Sequence, residues 1–280
     1  MPHQHGRTED LDWSSMLETL GRADDIEADL NAQIADWLLA GDERLIYDLG
    51  CGAGGMTAAL RAAAPRDSRV VAVDGEPALL AATRRRAGVE TVLADLGTEL
   101  PVESGSADLI WAGGVIHHLP DQQAVLADLA DRLAPGGRLA LGEGGLHSRS
   151  LPWDLGVGEP GLELRLDAAQ DRWFARMRRD LPGAVPMLDG WSTALQRAGL
   201  VDVTARSFLL DLPAPLGSRE LDHVLGRLRG FTDRDGREDL PEEERAVLRR
   251  VTDPEDALHR RIREDLFLLA ARTVYVGRRP

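Results

Sequence analysis

The chain has 280 residues, 43% of them hydrophobic, a formal net charge of −14 and one cysteine. That is enough apolar material for one large domain or two small ones with a real core. The acidic balance excludes a long run of phosphate contacts, which needs basic patches; the lone Cys51 excludes an internal disulfide; and no apolar run approaches the roughly 20 residues that cross a bilayer.

Arginine carries all the basic side-chain charge, because lysine is absent. The densest basic run, Arg84-Arg85-Arg86, reads as a solvated helix face. Residues Met1–Asp10 are polar and lack an apolar signal core, so the expectation is a cytoplasmic protein, monomer or homodimer, with no membrane and no nucleic acid among its partners.

In chain order, amphipathic segments come first, around Trp13–Leu20 and Ile26–Ala40. In the second, Ile26, Leu30, Ile34, Trp37 and Leu38 recur at helical spacing. Short apolar runs then alternate with helical patterns, which predicts βαβ units and a parallel sheet. A strand at Leu45–Leu49 is followed by glycines and a helix near Gly55–Ala64. A second at Arg69–Asp74 is followed by a helix near Pro77–Ala87. The third strand is Thr91–Asp95 and the fourth Ala107–Ala112. A helix from about Asp121 follows, with Val125, Leu126, Leu129 and Leu133 on one face, and Pro135-Gly136-Gly137 stops it. The fifth strand is Arg138–Glu143.

The pattern then loosens over 144–186, with a helix around Ala168–Asp180. A helix at Leu188–Ala198 precedes a strand at Val203–Leu210, a mostly helical stretch runs from Ser218 to about Leu266, and a strand at Ala271–Val276 closes the series. Stretches 144–186 and 213–268 read as two mainly helical insertions on one Rossmann-like α/β domain, with residues 1–40 as N-terminal helices and 41–143 as the core. The insertions are expected to form a substrate cap.

The chemistry centres on Asp48-Leu49-Gly50-Cys51-Gly52-Ala53-Gly54. A strand turning sharply into a helix exposes backbone N–H groups, and glycines let a ligand approach the main chain. Gly50, Gly52 and Gly55 also satisfy G-x-G-x-x-G, so the loop alone fits a nicotinamide cofactor as well as S-adenosylmethionine. Asp48 argues for the latter. A pyrophosphate would repel a carboxylate there, whereas an ammonium and a sulfonium welcome one. Asp74, ending the second strand, suits the two hydroxyls of a ribose in either cofactor. Asp95, ending the third, suits an adenine amino group, although Asp is also common where strands end.

Together with Asp74, Asp95, Ile116-His117-His118-Leu119-Pro120-Asp121 and Leu133-Ala134-Pro135-Gly136-Gly137-Arg138, the loop resembles the ordered motifs of class I S-adenosylmethionine-dependent methyltransferases over about Leu45 to Glu143. The resemblance implies a seven-stranded sheet with its last strand antiparallel. It also implies a cofactor site that includes Cys51, Gly52, Gly54 and Gly75, in which Asp48 and the Gly50 backbone hold the methionine moiety and Asp74 the ribose. Asp95 with Leu96 would hold the adenine, and Ala112 and Gly113 would line the methionine side. It leaves the acceptor open.

Methyl transfer needs a base only where the nucleophile must lose a proton. The candidates are His117, His118, Glu143 and His147. Glu143 stands at the C-terminal end of a strand, where open α/β sheets place their sites. Either ring of the His pair could equally be structural. No metal is expected: the histidines lack ligand spacing and a cysteine partner. Nor does a G-x-S-x-G elbow occur. Trp153, Trp173 and Phe174 either pin the first insertion to the core or form an apolar lid over a lipophilic substrate. The expectation is methyl transfer to O, N or C of a small molecule. A nicotinamide-dependent oxidoreductase, or a cofactor-binding protein that does not methylate, remains open.

Overall fold

The computed structural model describes residues 16–233 and 240–280; Trp13 lies outside them. The chain divides into two compact units. The first comprises residues up to Gly145, Leu181–Phe208 and Arg272–Pro280; the second comprises Leu146–Asp180 and Leu209–Ala271.

The strands are β1 (Leu45–Leu49), β2 (Arg69–Asp74), β3 (Glu90–Leu93), β4 (Ala107–Gly113), β5 (Leu133–Arg149), β6 (Val201–Leu212) and β7 (Leu268–Arg278). They form one seven-stranded sheet in the order β3-β2-β1-β4-β5-β7-β6. The first five are mutually parallel, and the last strands run antiparallel. The order reverses between β1 and β4, which opens a crevice at their carboxyl ends, the usual place for a ligand in such sheets.

In the first unit the helices are α1 (Leu17–Ile26), α2 (Ala28–Leu38), α3 (Gly55–Ala63), α4 (Pro77–Ala87), α5 (Gln122–Arg132) and, later in the chain, α7 (Trp191–Arg197). Alternate strand residues face opposite ways. Tyr47, Leu49, Val71, Val73, Ile110, Leu139 and Leu141 join Leu126 and Leu129 of α5 and Leu195 of α7 in one core. Helices α2, α3 and α4 pack in succession on the other face. Helix α4 starts with Pro77 behind the capping carboxylate of Glu76, which accepts from Ala78 N, and ends at Gly88 in the left-handed region. Asp121 caps α5 by accepting from Ala124 N. Helix α1 buries none of its residues.

Several boundaries differ from those read in the sequence: the helix expected from Ala168 starts at Leu162, the one expected at Leu188–Ala198 is Trp191–Arg197, and β6 and β7 extend over Val201–Leu212 and Leu268–Arg278. Strand β3 stops at Leu93, opposite Asp74, because β2 ends there and offers no further partner; Asp95 therefore lies two residues past the strand rather than at its end. Strand β5 begins at Leu133, which pairs with Ala107, and the next pair is Leu109 with Arg138. The Pro135-Gly136-Gly137 segment is thus a bulge inside β5 rather than the stop of α5, which has already ended at Arg132, so Leu133 is a strand residue and not the last of the helical face. The same strand runs on to Arg149.

The second unit holds α6 (Leu162–Asp180), α8 (Ser218–Asp233), α9 (Glu242–Thr252) and α10 (Ala257–Ile262). Buried Glu163 of α6 ties its base. It accepts from Ser150 N, Ser150 Oγ and Leu151 N at 3.0 Å and pairs with Arg227 of α8 at 2.8 Å. Among the described residues no helix is long and apolar enough to cross a membrane.

Candidate active site

The turn from β1 into α3 is set by three left-handed glycines, Gly50 (φ +67°), Gly52 (+54°) and Gly54 (+91°), a region that costs side chains with a Cβ about 1–2 kcal/mol. Gly50 N and Cys51 N donate to Val73 O at 2.8 and 3.0 Å, which locks the turn onto the end of β2. Cys51 is buried, and its thiol pKa is pushed up by desolvation. It is a packing group rather than a reactive one.

Three carboxylates converge on this turn. Asp48, 1% exposed, accepts from Thr57 Oγ1 of α3. Burial pushes its pKa to about 7, with the charges of Asp24 and Asp74 adding to the rise and the Thr57 bond opposing it. Asp74 accepts from Gly52 N and Glu76 N, each at 3.0 Å. Its pKa is raised because desolvation outweighs those bonds. A carboxylate has about four acceptor positions, so Asp74 keeps acceptor capacity beyond its bonds to the Gly52, Gly75 and Glu76 backbone. Asp24 of α1 accepts from Gly55 N, the first residue of α3, at 2.8 Å, and partial burial in this contact pushes it to about 6. Nothing in the sequence marks Asp24, since its partner lies 31 residues away and on another helix.

The far side of the crevice follows β4. Ala112 is buried at the strand's end and Gly113 closes it. The side chain of Val115 lies against Gly50 and so joins this loop to the glycine turn. A 3₁₀ turn over Ile116–His118 comes next. Buried Glu143 of β5 organises it. One carboxylate oxygen accepts from Val115 N and Ile116 N at 3.2 and 3.0 Å, and the other meets His117 Nδ1 at 2.7 Å. The His117 and His118 rings lie against each other, tilted by 44°, with centroids 4.1 Å apart.

The remaining candidates stand elsewhere. Ala94 N donates to Asp74 O, which brings the end of β3 beside the end of β2. Asp95 is exposed there and accepts from Gly97 N at 2.9 Å, while Leu96 packs on the core. Gly75 follows Asp74 directly. His147 belongs to the second unit, is half exposed and pairs with Asp167 at 3.2 Å. Among the described residues no group of three or more His, Cys, Asp or Glu is placed to hold a metal ion. Arg86, in the run read as a solvated face, reaches α1 instead, with Nη1 2.7 Å from Asp25 Oδ1.

The donor set suits a cationic adenosyl ligand. Buried carboxyls driven up by desolvation and mutual repulsion favour a ligand that brings positive charge, and Asp74 keeps acceptor positions for hydroxyls. The pyrophosphate of a nicotinamide cofactor would meet the same carboxylates with the wrong sign.

A family model described as a methyltransferase domain matches residues 46–137. Trans-aconitate 2-methyltransferase of Methylobacterium radiotolerans is 32% identical over 238 residues, covering 79% of this chain and 88% of that protein. An uncharacterized methyltransferase of Mycobacterium tuberculosis is 32% identical over 68% of this chain and 75% of that one. Among solved structures, the complex between the Haloferax volcanii Trm112 methyltransferase activator and a methyltransferase matches with a TM-score of 0.52 at 18% identity, over 96% of this chain and 98% of that chain, a likeness of fold alone. With the glycine turn and its carboxylates in place, and a 32% identical relative covered almost throughout, this chain belongs to the class I S-adenosylmethionine-dependent methyltransferases.

Proposed function

We propose that the enzyme methylates a small-molecule acceptor, at an oxygen or nitrogen that gives up a proton to His117. The observation that carries this reading is the His117–Glu143 pair on a loop that touches Gly50 through Val115. Nδ1–H donation to Glu143 selects the tautomer whose Nε2 accepts a proton, so Glu143 positions the base rather than acting as one. His118 and His147 are secondary candidates, the first through its ring beside that of His117 and the second through its pairing with Asp167.

Asp48 and the Gly50, Cys51, Gly52 and Gly54 backbone would hold the methionine moiety of the cofactor. Asp74 with Gly75 would hold the ribose, Asp95 with Leu96 the adenine, and Ala112 and Gly113 would line the methionine side. When bound, S-adenosylmethionine supplies a methyl group made electrophilic by a positively charged sulfur. The protein's part is to orient the acceptor, exclude water and hold the proton at His117. The two mainly helical stretches, 144–186 and 213–268, are assigned to acceptor choice. A cytoplasmic monomer or homodimer is the state in which we expect this work to be done.

Phenols and amines, which must lose a proton, are the first acceptors to try; trans-aconitate, in the name of the Methylobacterium relative, is the comparison, because its carboxylates are already ionised and need no base. Transfer of labelled methyl to a phenol or amine, lost in His117→Ala while S-adenosylhomocysteine still binds, is the expected result; transfer to trans-aconitate would survive that substitution. Tight S-adenosylhomocysteine binding without transfer to any acceptor would sink the small-molecule reading. Equal turnover of a phenol or amine by His117→Ala would remove the base from it.

A further inference from the structure

We propose that the second unit carries a small-molecule site of its own, for an uncharged ligand with a flat apolar ring. A concavity of about 420 Å³ lies wholly within that unit, walled by Leu151, Trp153, Leu162, Leu164, Phe267 and Leu269. Its volume falls in the range of roughly 300–1,000 Å³ typical of small-ligand pockets.

Trp153 is 66% exposed and Leu164 55% exposed on its wall. Leaving both largely in water forgoes apolar burial, and such clustering marks a binding surface more often than scattered single residues do. Nor is the indole loose. Trp153 O accepts from Gly161 N at 2.7 Å, closing the segment 153–161. Gly161 adopts φ +76°, and a Cβ there would lie 2.4 Å from Trp153 Cζ3, so the ring edge rests on the Gly161 backbone. A held ring with an open face is a stacking platform whose ordering cost is already met in folding.

The charge pattern selects the ligand. The concavity has two ionic groups on its wall, and both are neutralised from within the unit. Glu163 is satisfied by Arg227 and the 150–151 backbone, and Arg149 pairs with Asp167 at 2.6 Å. An ionised ligand would lose its hydration there and find no free counter-charge. An uncharged ring loses only apolar hydration and gains the indole face.

Nile red, a flat uncharged fluorophore, is a suitable probe of the full-length protein. We expect saturable binding, one dye per chain, undiminished by saturating S-adenosylhomocysteine. Trp153→Ala and Leu164→Glu should each weaken it by roughly tenfold, the effect of losing an aromatic contact and its buried area. Leu188→Ala, at an exposed leucine of the first unit, should leave it unchanged. All three positions are exposed, so circular-dichroism melts should match the parent. Non-saturating dye uptake, full displacement by S-adenosylhomocysteine, or parental affinity in both pocket variants would overturn the proposal. So would a parent that sediments as a dimer and a Trp153→Ala variant that sediments as a monomer, since the patch would then be a self-association surface.

Discussion

Asp48 illustrates how a single side chain can work against the fold that holds it. Its carboxyl is buried and pushed to about 7. A folded-state pKa above the unfolded value means that the folded chain binds the extra proton, so this group's contribution to stability falls as pH rises from about 4 to about 7. Asp48→Asn keeps an acceptor for Thr57 and removes the buried charge. It should raise the melting temperature of the ligand-free protein at pH 8, by an amount corresponding to about 1–2 kcal/mol. The same variant should bind S-adenosylmethionine more weakly, by calorimetry. A melting temperature at pH 8 that is unchanged or lower would show that the charge is solvated after all.

Cation binding favours the ionised carboxylates, so the cofactor should displace a proton. Affinity should fall as pH is lowered through about 7 and then about 6, the values to which Asp48 and Asp24 are pushed. Near pH 6.5, binding heats in two buffers of different ionisation enthalpy should differ with the sign of proton release. Identical heats would mean that neither carboxyl senses the ligand. At Asp74, substitution by Ala should weaken S-adenosylhomocysteine binding by about 1–3 kcal/mol, the scale of bonds to a charged group. An unaltered Kd in a folded Asp74→Ala protein would place the ribose elsewhere. Glu143→Gln should lower kcat by roughly 10–100-fold through a misdirected His117, with the S-adenosylhomocysteine Kd unmoved; a changed Kd with unchanged kcat would make Glu143 a mere support of the cofactor loop.

The elements show how sequence pattern and tertiary pairing share the specification of the sheet. Strands β1, β2 and β4 could be read from their apolar runs because both faces are covered by helices. The end of β3 was not legible, because Val92-Leu93-Ala94 stays apolar after its partner stops at Asp74. The start of β5 was hidden for the opposite reason: Pro135-Gly136-Gly137 looks like a break, yet Leu133 on its near side already pairs with Ala107. At the site, Asp48, Asp74, His117 and Glu143 were each visible as residues. Their pairings were not: His117 and Glu143 are 26 positions apart, and Asp24 reaches Gly55 from another helix. Helix α1 makes that last contact matter. It buries no residue of its own and is held by Asp24 on Gly55 N and by Asp25 against Arg86. Asp24→Ala should therefore speed amide exchange across Leu17–Ile26 while the melting temperature moves by only about 1–3 °C. Unchanged protection in that segment would show that something other than the Asp24 cap docks the helix.

Across the whole molecule, the sequence suggested two insertions on one domain, whereas the fold gathers residues 146–180 and 209–271 into one compact unit of their own. Composition cannot reveal such a union, because the two stretches are joined through Glu163 and Arg227, 64 positions apart. Removing Arg227 leaves a buried carboxylate without its cation, a loss of about 3–5 kcal/mol where such pairs are broken. Because β5, β6 and β7 each run from one unit into the other, Arg227→Ala should lower a single calorimetric transition rather than split it. Two resolved transitions would mean that the units melt independently.

The strand order has a further consequence during synthesis. Strand β5 pairs with β7 in the finished sheet, and β7 is translated only after residues 150–267. At about 5–20 residues per second the ribosome takes roughly 6–24 s to cover that distance. For that time the nascent chain carries a long β5 with one row of hydrogen-bonding groups open, and such an edge invites pairing between neighbouring chains. The yield of folded enzyme is thus tied to elongation speed and chaperone supply through the very strand that carries Glu143.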